Sequence, residues 1–310
     1  MEITQIHTLN LTGVLSQSNR IIFSRYTHFI AFSLLFLPLS FSLVITPTLS
    51  RNLSDQPFTN DNSNNHQKLL TSYLLYTLIV HVIALCAIGT ITYTTHHAFF
   101  GEPVNFLDTL KSLIFSFFLL VSTAIAAYVL IVLITICFLL FVVAVLILAN
   151  TSGFVIDYNS VYILWFSAIM GAVLIAIIVY FHVNWSLAFV VVVVESKWGF
   201  SPLKRSKYLI KGMRLVSLLV MLCFGVFGAF IVGICSSCLD VFALKMIGSL
   251  VVMMILLGIT AANTVLYNYC KALRGELALE VAEPEVFVHD YVNLPSDGEK
   301  VSHSVSVGVA

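Results

Sequence analysis

Residues 112–149 read SLIFSFFLLVSTAIAAYVLIVLITICFLLFVVAVLILA, a run of 38 residues that contains no charged side chain. A transmembrane helix needs about 20 apolar residues to cross a hydrocarbon core of about 30 Å. Backbone N–H and C=O groups in lipid have to bond within their own segment, so a spanning segment of this kind is helical. The run therefore predicts an α-helix whose solvent is lipid.

The length of this run leaves two arrangements open. As one helix it would be roughly 57 Å long, nearly twice the thickness of the hydrocarbon core. It could instead hold two short spans joined by a turn. The run has no Gly, Pro, Asn or Asp, the residues that tight turns usually need. We therefore expect one long helix that tilts or projects.

The rest of the chain has the same apolar character. Of its 310 residues, 59% are hydrophobic and 10% are charged, against about 45–50% and about 25% in soluble domains. The sequence predicts an all-α, polytopic membrane helical bundle of about six transmembrane helices, with short amphipathic interfacial helices. The predicted spans lie near residues 29–49, 69–92, 112–149, 161–194, 215–238 and 243–270. A cytosolic leader (1–27) precedes this transmembrane domain (28–271), and a largely disordered cytosolic tail (272–310) follows it.

Basic residues indicate how the spans are oriented. With six spans and a cytosolic N-terminus, twelve Lys and Arg residues fall on the cytosolic side and three on the outer side. Seven spans would give eleven against four, so charge alone hardly separates the two counts. We expect both termini in the cytosol, in the endomembrane system or the plasma membrane. Glycosylation sequons at Asn52 and Asn150 fall in predicted outer loops.

The segment between the fourth and fifth predicted spans has the clearest local pattern. Ser201 and Pro202 are typical of a helix start, and Gly212 is typical of the position just past a helix end. In a helix between them, apolar residues share one side and basic residues the other. We expect this helix on the cytosolic membrane surface, where anionic lipid attracts each Lys or Arg by about 1 kcal/mol. The predicted headgroup contacts are Trp198, Lys204, Arg205, Lys207 and Lys211.

A second amphipathic stretch precedes the first span. Apolar residues recur at helical spacing between Leu11 and Ile22, with Arg20 and Arg25 among and after them. This pattern predicts a surface helix that leads into the first span.

Polar residues inside predicted spans are candidates for function. They are His81, His182, Asn184, Asn263 and Asn268. Such residues could bond between helices, or His182, Asn184 and Asn263 could line a path for a polar solute. No Asp, Glu, Lys or Arg lies in the middle of a predicted span, which argues against ion-coupled transport.

Motifs for catalysis or metal binding are weak. Cys235 and Cys238 form a CxxC pair at a predicted helix C-terminus, where the helix dipole disfavours a thiolate. His96 and His97 lack a third metal ligand nearby. The sequence has no Gly-rich phosphate loop, zinc-protease motif or nucleophile elbow. A net charge of zero argues against a nucleic-acid binder. We expect no enzyme activity and no cofactor.

The polar tail carries a short peptide motif. Tyr291-Val-Asn-Leu294 fits the Tyr-x-x-bulky pattern that sorting adaptors bind as an extended strand. It lies about 20 residues beyond the last predicted span, in a segment whose composition favours disorder. We expect it to be reachable by a cytosolic adaptor.

Three motifs carry a resemblance to a known group of proteins. They are Glu195-x-x-x-Gly199 followed by Leu203-x-Arg205-Ser206-x-x-Leu209-Ile210-x-Gly212, the leader motif Gly13-Val-Leu-x-x-Ser18-x-Arg20-Ile21-Ile22, and the tail motif His289-Asp-Tyr-Val-Asn-Leu-Pro295. The chain resembles a group of uncharacterised multi-pass proteins, mostly from plants. That group is similar to the membrane domain attached to some glycerophosphodiester phosphodiesterases. The resemblance implies a six-helix membrane fold. It does not imply phosphodiesterase activity, because the catalytic barrel of those enzymes has no counterpart here.

Three hypotheses for function follow from these features. The first is a non-enzymatic membrane organiser or trafficking component that acts through its basic helix and its tail. The second is a transporter or channel for a small or lipidic solute. A lipid-modifying enzyme is the third and weakest.

Overall fold

The computed structural model describes residues 10–54, 63–152, 161–237 and 242–276. Within these ranges all regular structure is helical and no strand occurs, which confirms the predicted all-α fold class. The α-helices are α1 (Leu11–Ser24), α2 (Tyr26–Ser33), α3 (Leu37–Ser54), α4 (Ser63–Phe99), α5 (Phe106–Thr151), α6 (Val161–Trp185), α7 (Ala188–Glu195), α8 (Ser201–Leu209), α9 (Arg214–Ser237) and α10 (Phe242–Leu273). A short 3-10 helix, Leu34–Phe36, joins α2 to α3.

Six segments of the described chain are long and apolar enough to cross a membrane. This confirms the prediction of a multi-pass membrane protein with about six spans. The segments are Tyr26–Pro47, Thr71–Phe99, Phe106–Thr151, Val161–Glu195, Arg214–Ser237 and Ala243–Leu273.

The long apolar run forms one unbroken helix, as the lack of turn residues predicts. With 46 residues, α5 is about 69 Å long. Its first half packs on α4 and α7, and its contacts with α6 are few. Beyond Leu130 most of its side chains are exposed or half-buried, as expected for a helix that meets lipid. Asn150 is exposed in its last turn, whereas the side chain of Asn52 lies outside the described part of the chain.

Proline explains the irregular first span. Pro38 has no N–H to donate to the carbonyl of Leu34, and its ring crowds that carbonyl. The chain tightens into the 3-10 turn Leu34–Phe36 at this point. The apolar span ends at Pro47, but the helix does not, because α3 continues through Pro47 to Ser54.

The last helix forms the centre of the bundle. α10 packs on α1, α3, α4 and α9, and from Ala261 to Cys270 most of its side chains are fully buried. Small residues bring α9 and α10 together: the ring of Phe224 packs over Gly258, and Cys235 packs against Gly248. Close approach at small residues is a common way for helices to associate within a membrane.

The leader helix packs on protein. Val14, Ser18 and Ile21 of α1 are buried, and the helix contacts α10 and α4. Arg20 and Phe23 on its other side are exposed. The segment is therefore helical, as predicted, and its apolar side is covered by the bundle.

Substitution of Gly258 tests the packing of α9 against α10. A Cβ atom at position 258 would lie 2.8 Å from Cε1 of Phe224. A rigid ring has to shift to make room, so we expect Gly258→Ala to lower the free energy of unfolding by about 1–3 kcal/mol. Titration with SDS in mixed micelles measures this change.

Gly225→Ala on α9 is the matched control, because no atom lies within 4 Å of the added Cβ. Alanine favours a helix over glycine, so this variant should be at least as stable as the parent protein. Equal stability of the two variants would contradict the close contact between Phe224 and Gly258.

Candidate functional site

The helix of the fourth span is interrupted after Trp185. At the interruption, a side chain from a later helix bonds backbone groups of the span. α6 ends at Trp185 and α7 begins at Ala188, whereas the sequence predicts one helix over 161–194. The hydroxyl of Ser206 on α8 accepts a bond from Leu187 N–H at 3.2 Å and donates to the carbonyl of Asn184 at 2.8 Å. One buried serine thus satisfies both sides of the break and attaches α8 to it.

α8 separates apolar and basic residues as the sequence predicts. Leu203, Ser206 and Leu209 are buried against the bundle, and α8 contacts α6, α7 and α10. Its apolar side therefore meets protein. The opposite side exposes a set of lysines that we call the basic platform, namely Lys204, Lys207 and Lys211.

The start of α8 matches the expected residues within a position, and its end lies two residues earlier than expected. The helix begins at Ser201 with Pro202 in its first turn. Gly212 has φ of 110°, a left-handed backbone that glycine adopts without a steric penalty, and α9 begins two residues later. The predicted headgroup residue Trp198 is 69% exposed in the connection between α7 and α8.

A polar cluster joins the end of α7, the middle of α8 and the C-terminal part of α10 beside the platform. We call it the Glu195 cluster; it consists of Glu195, Lys197, Arg205, Tyr267 and Glu276. Glu195 terminates α7, and its side chain is only 12% exposed. Its carboxylate accepts bonds from Lys197 Nζ at 2.6 Å, Arg205 Nε at 3.1 Å and Tyr267 Oη at 3.0 Å. A carboxylate this buried needs such donors to remain charged.

Arg205 connects two carboxylates. Its Nε binds Glu195, and its two terminal nitrogens bind the carboxylate of Glu276, which lies just past the end of α10. Partial burial lowers the pKa of Arg205, but hydrogen bonds and charge from Glu276 and Glu195 outweigh burial and raise that pKa above its ordinary value. Arg205, predicted as a headgroup contact, is thus occupied by carboxylates within the protein.

A second arginine fixes the other end of α8. Arg274 donates to the carbonyl oxygens of Tyr208 and Lys211. Its guanidinium lies 3.8 Å from the centroid of the Tyr208 ring, at stacking distance. These carbonyls belong to the last turn of α8 and the residues just past it, where helices leave acceptors unpaired and favour cations.

The adjacent histidines point to different partners. His96 Nδ1 lies 3.0 Å from Oδ1 of Asn268, a buried residue of α10, and its ring meets that of Tyr267 edge-on. His97 Nδ1 lies 2.5 Å from Oε2 of Glu102. The pair therefore joins α4 to α10 and caps the loop after α4. Among the described residues no group of three His, Cys, Asp or Glu side chains could hold a metal ion.

The predicted intramembrane residues lie on three helices. His81 on α4 is exposed and contacts the carbonyl of Thr77. On α6, His182 is exposed, and the buried Asn184 donates to the carbonyl of Tyr180 at 2.6 Å. Asn263 is half-buried on α10. Where the chain is described, α6 packs on α8, α9 and α5, and not extensively on α10. The solute path through His182, Asn184 and Asn263 remains a prediction.

Two predicted features lie partly or wholly outside the described residues. Cys235 is buried in α9 with a free thiol, while Cys238 lies outside the described part. The tail motif with Tyr291 and Leu294 also lies outside it.

Comparison with known proteins places the chain in a family. Residues 1–299 match a domain family described as Domain of unknown function (DUF8558). The chain belongs to the DUF8558 family. No curated protein and no solved structure matches this DUF8558 chain. The likeness to plant multi-pass proteins and to phosphodiesterase membrane domains stays a prediction.

Glu195→Gln tests how strongly the cluster holds α7, α8 and α10 together. Loss of this charge leaves the half-buried Arg205 with one carboxylate and weakens the bond from Tyr267. We expect the free energy of unfolding to fall by about 1.5–3 kcal/mol, the range for hydrogen bonds to charged groups. SDS titration of the purified protein measures it.

Lys197→Ala is the control for this prediction. It removes a partner of the same carboxylate, but the Lys197 side chain is 41% exposed, so we expect a loss below about 1 kcal/mol. A similar loss of stability in both variants would contradict this prediction, because it would mean that the bonds from Arg205 and Tyr267 to Glu195 add nothing to the bond from Lys197.

Proposed function

We propose that this chain is a non-enzymatic membrane organiser that gathers anionic lipid headgroups at the cytosolic surface through its basic platform. The observation that carries the proposal is the way α8 is held. Its apolar side is buried in the protein, and Lys204, Lys207 and Lys211 are exposed on the other side.

Charge around the platform favours anions. Residues 195–214 contain six basic side chains and one carboxylate, Glu195. That carboxylate is already bound by Lys197, Arg205 and Tyr267, so it does not form an ion pair with the platform lysines. Each lysine near an anionic surface contributes about 1 kcal/mol of attraction.

Rigidity supports the same proposal. Ser206, Arg205 and Arg274 attach α8 to α6, α7 and α10. An interfacial helix that folds only on lipid loses part of its binding energy to ordering. The platform is already ordered in the folded protein, so its three charges keep a fixed spacing and binding requires little further ordering.

The expected orientation puts the platform in the cytosol. Basic residues concentrate on the side that carries α8, which favours a cytosolic location for it and for both termini. This is the leaflet that carries anionic lipid in the endomembrane system and the plasma membrane. The proposal of a solute path has less support, because Asn263 lies on α10, which α6 with His182 and Asn184 does not contact extensively.

Charge reversal of the platform tests the proposal. The variant Lys204→Glu, Lys207→Glu, Lys211→Glu is reconstituted in phosphatidylcholine nanodiscs that contain a minor fraction of phosphatidylserine. Electron paramagnetic resonance of spin-labelled lipids then measures which lipid the protein holds. We expect the parent protein to prefer phosphatidylserine and the variant to lose that preference, because repulsion replaces about 1 kcal/mol of attraction per residue.

The control keeps the charge and changes the side chain. Replacement of the same three lysines by arginine should preserve the preference. An unchanged preference after charge reversal would refute the proposal, and its loss in the arginine variant would show that charge is not the determinant.

We further propose that the tail directs trafficking by binding a cytosolic sorting adaptor. The support is the motif Tyr291-Val-Asn-Leu294, located beyond the last span. In strand-like recognition the side chains that enter pockets give specificity and the intervening ones do not.

Tyr291→Ala tests this second role. Removal of the ring should move a fluorescently tagged protein from its normal compartment to another membrane, as seen by microscopy and fractionation. Val292→Ala changes an intervening position and should leave the distribution unchanged. An unaltered distribution of the Tyr291 variant would contradict a sorting role.

A further inference from the structure

A groove lies at the side of the bundle, between α5 and the connection from α7 to α8. We call it the interfacial groove. Its volume is about 760 Å³, within the range of about 300–1,000 Å³ that small-molecule sites occupy. One wall consists of Ser122, Ile125, Ala126 and Val129 of α5, and the other is formed by residues 196–201.

The two walls differ in chemistry. The α5 wall belongs to a span, and Ile125 and Val129 are exposed on it. The opposite wall carries Lys197 and the exposed rings of Trp198 and Phe200. Tryptophan concentrates where lipid headgroups meet acyl chains. The groove therefore has an apolar floor on α5 and an aromatic rim that carries one lysine.

The backbone holds this rim in a defined shape. Ser196 has φ of 50° and Gly199 has φ of 67°, so the chain turns twice within four residues. A left-handed conformation costs a residue such as serine about 1–2 kcal/mol. The neighbouring Glu195 cluster fixes the chain immediately before the first of these turns.

Lys197 has hydrogen-bond donors at the rim that a ligand can use. Lys197 Nζ bonds Glu195, but that carboxylate also receives Arg205 and Tyr267. An ammonium group has three donors, so two of its hydrogens can face another anion. The first turn of α8 opens at Ser201 on the same rim, has no side-chain cap and contains no acidic residue.

We propose that the interfacial groove binds one anionic glycerophospholipid, with an acyl chain along α5 and the phosphate at Lys197 and the start of α8. The proposal deepens the proposed function, and it rests on that function for the headgroup level at which the rim lies. Charge complementarity selects the occupant: the floor suits a hydrocarbon chain, and the rim suits a phosphate. The basic platform would gather anionic lipids loosely, whereas the groove would retain one.

Quenching of Trp198 by brominated lipid tests the groove directly. The chain has three tryptophans, so a background with Trp165→Phe and Trp185→Phe leaves Trp198 as the reporter. In nanodiscs of phosphatidylcholine, brominated phosphatidylserine should quench Trp198 more strongly than brominated phosphatidylcholine at the same fraction.

Two variants and a matched control locate the effect. Ser122→Phe fills the groove and should remove the extra quenching. Lys197→Ala should lower the preference for phosphatidylserine about fivefold, the factor that one nearby basic residue gives at a membrane surface. Ser167→Phe makes the same change at an exposed position of α6, outside the groove, and should have no effect.

The outcomes separate this proposal from the proposed function. Equal quenching by the two lipids, unaffected by Ser122→Phe, would refute the groove site even if spin-labelled phosphatidylserine still prefers the protein. Extra quenching that survives charge reversal of the platform supports the groove site independently of the platform. If phosphatidylserine is favoured in neither measurement, both proposals are wrong.

Discussion

A carboxylate buried at the end of a membrane-spanning segment must be met by donors, and Glu195 takes its donors from three places in the chain. Lys197 comes from the adjoining connection, Arg205 from α8 and Tyr267 from α10. An isolated ionised carboxylate would be too costly in this environment. The three segments therefore have to meet at Glu195 when the protein folds, and the position of α8 depends on that meeting.

The orientation of α8 depends on two neighbouring residues. Arg205 bonds Glu195, while Ser206, its neighbour, bonds the break between α6 and α7. Because adjacent residues on a helix point about 100° apart, these two attachments fix the rotation of α8 as well as its position. The rotation of α8 determines which of its side chains face outward. The exposure of the platform lysines therefore follows from the bonds of Arg205 and Ser206.

The spans were predictable because lipid imposes a simple rule on composition and length, and the continuous helix over 112–149 follows from its lack of turn residues. The platform was predictable from spacing within α8. The Glu195 cluster was not, because Tyr267 lies 72 residues from Glu195 and Glu276 lies 71 from Arg205, and no local pattern marks such pairs. The break after Trp185 was missed for the same reason: it depends on the hydroxyl of Ser206.

In the described part of the chain, the Glu195 cluster and its neighbours bring several polar side chains together. Glu195 at the end of α7, Arg205 in the middle of α8 and Tyr267 in the last turns of α10 meet there, and His96 with Asn268 lies beside them. Charged side chains are costly deep in a bilayer but inexpensive at its boundary, where headgroups and water reach them. We therefore propose the lipid surface, with its mixture of phosphate and hydrocarbon, as the ligand of this chain, in preference to a solute that crosses the membrane.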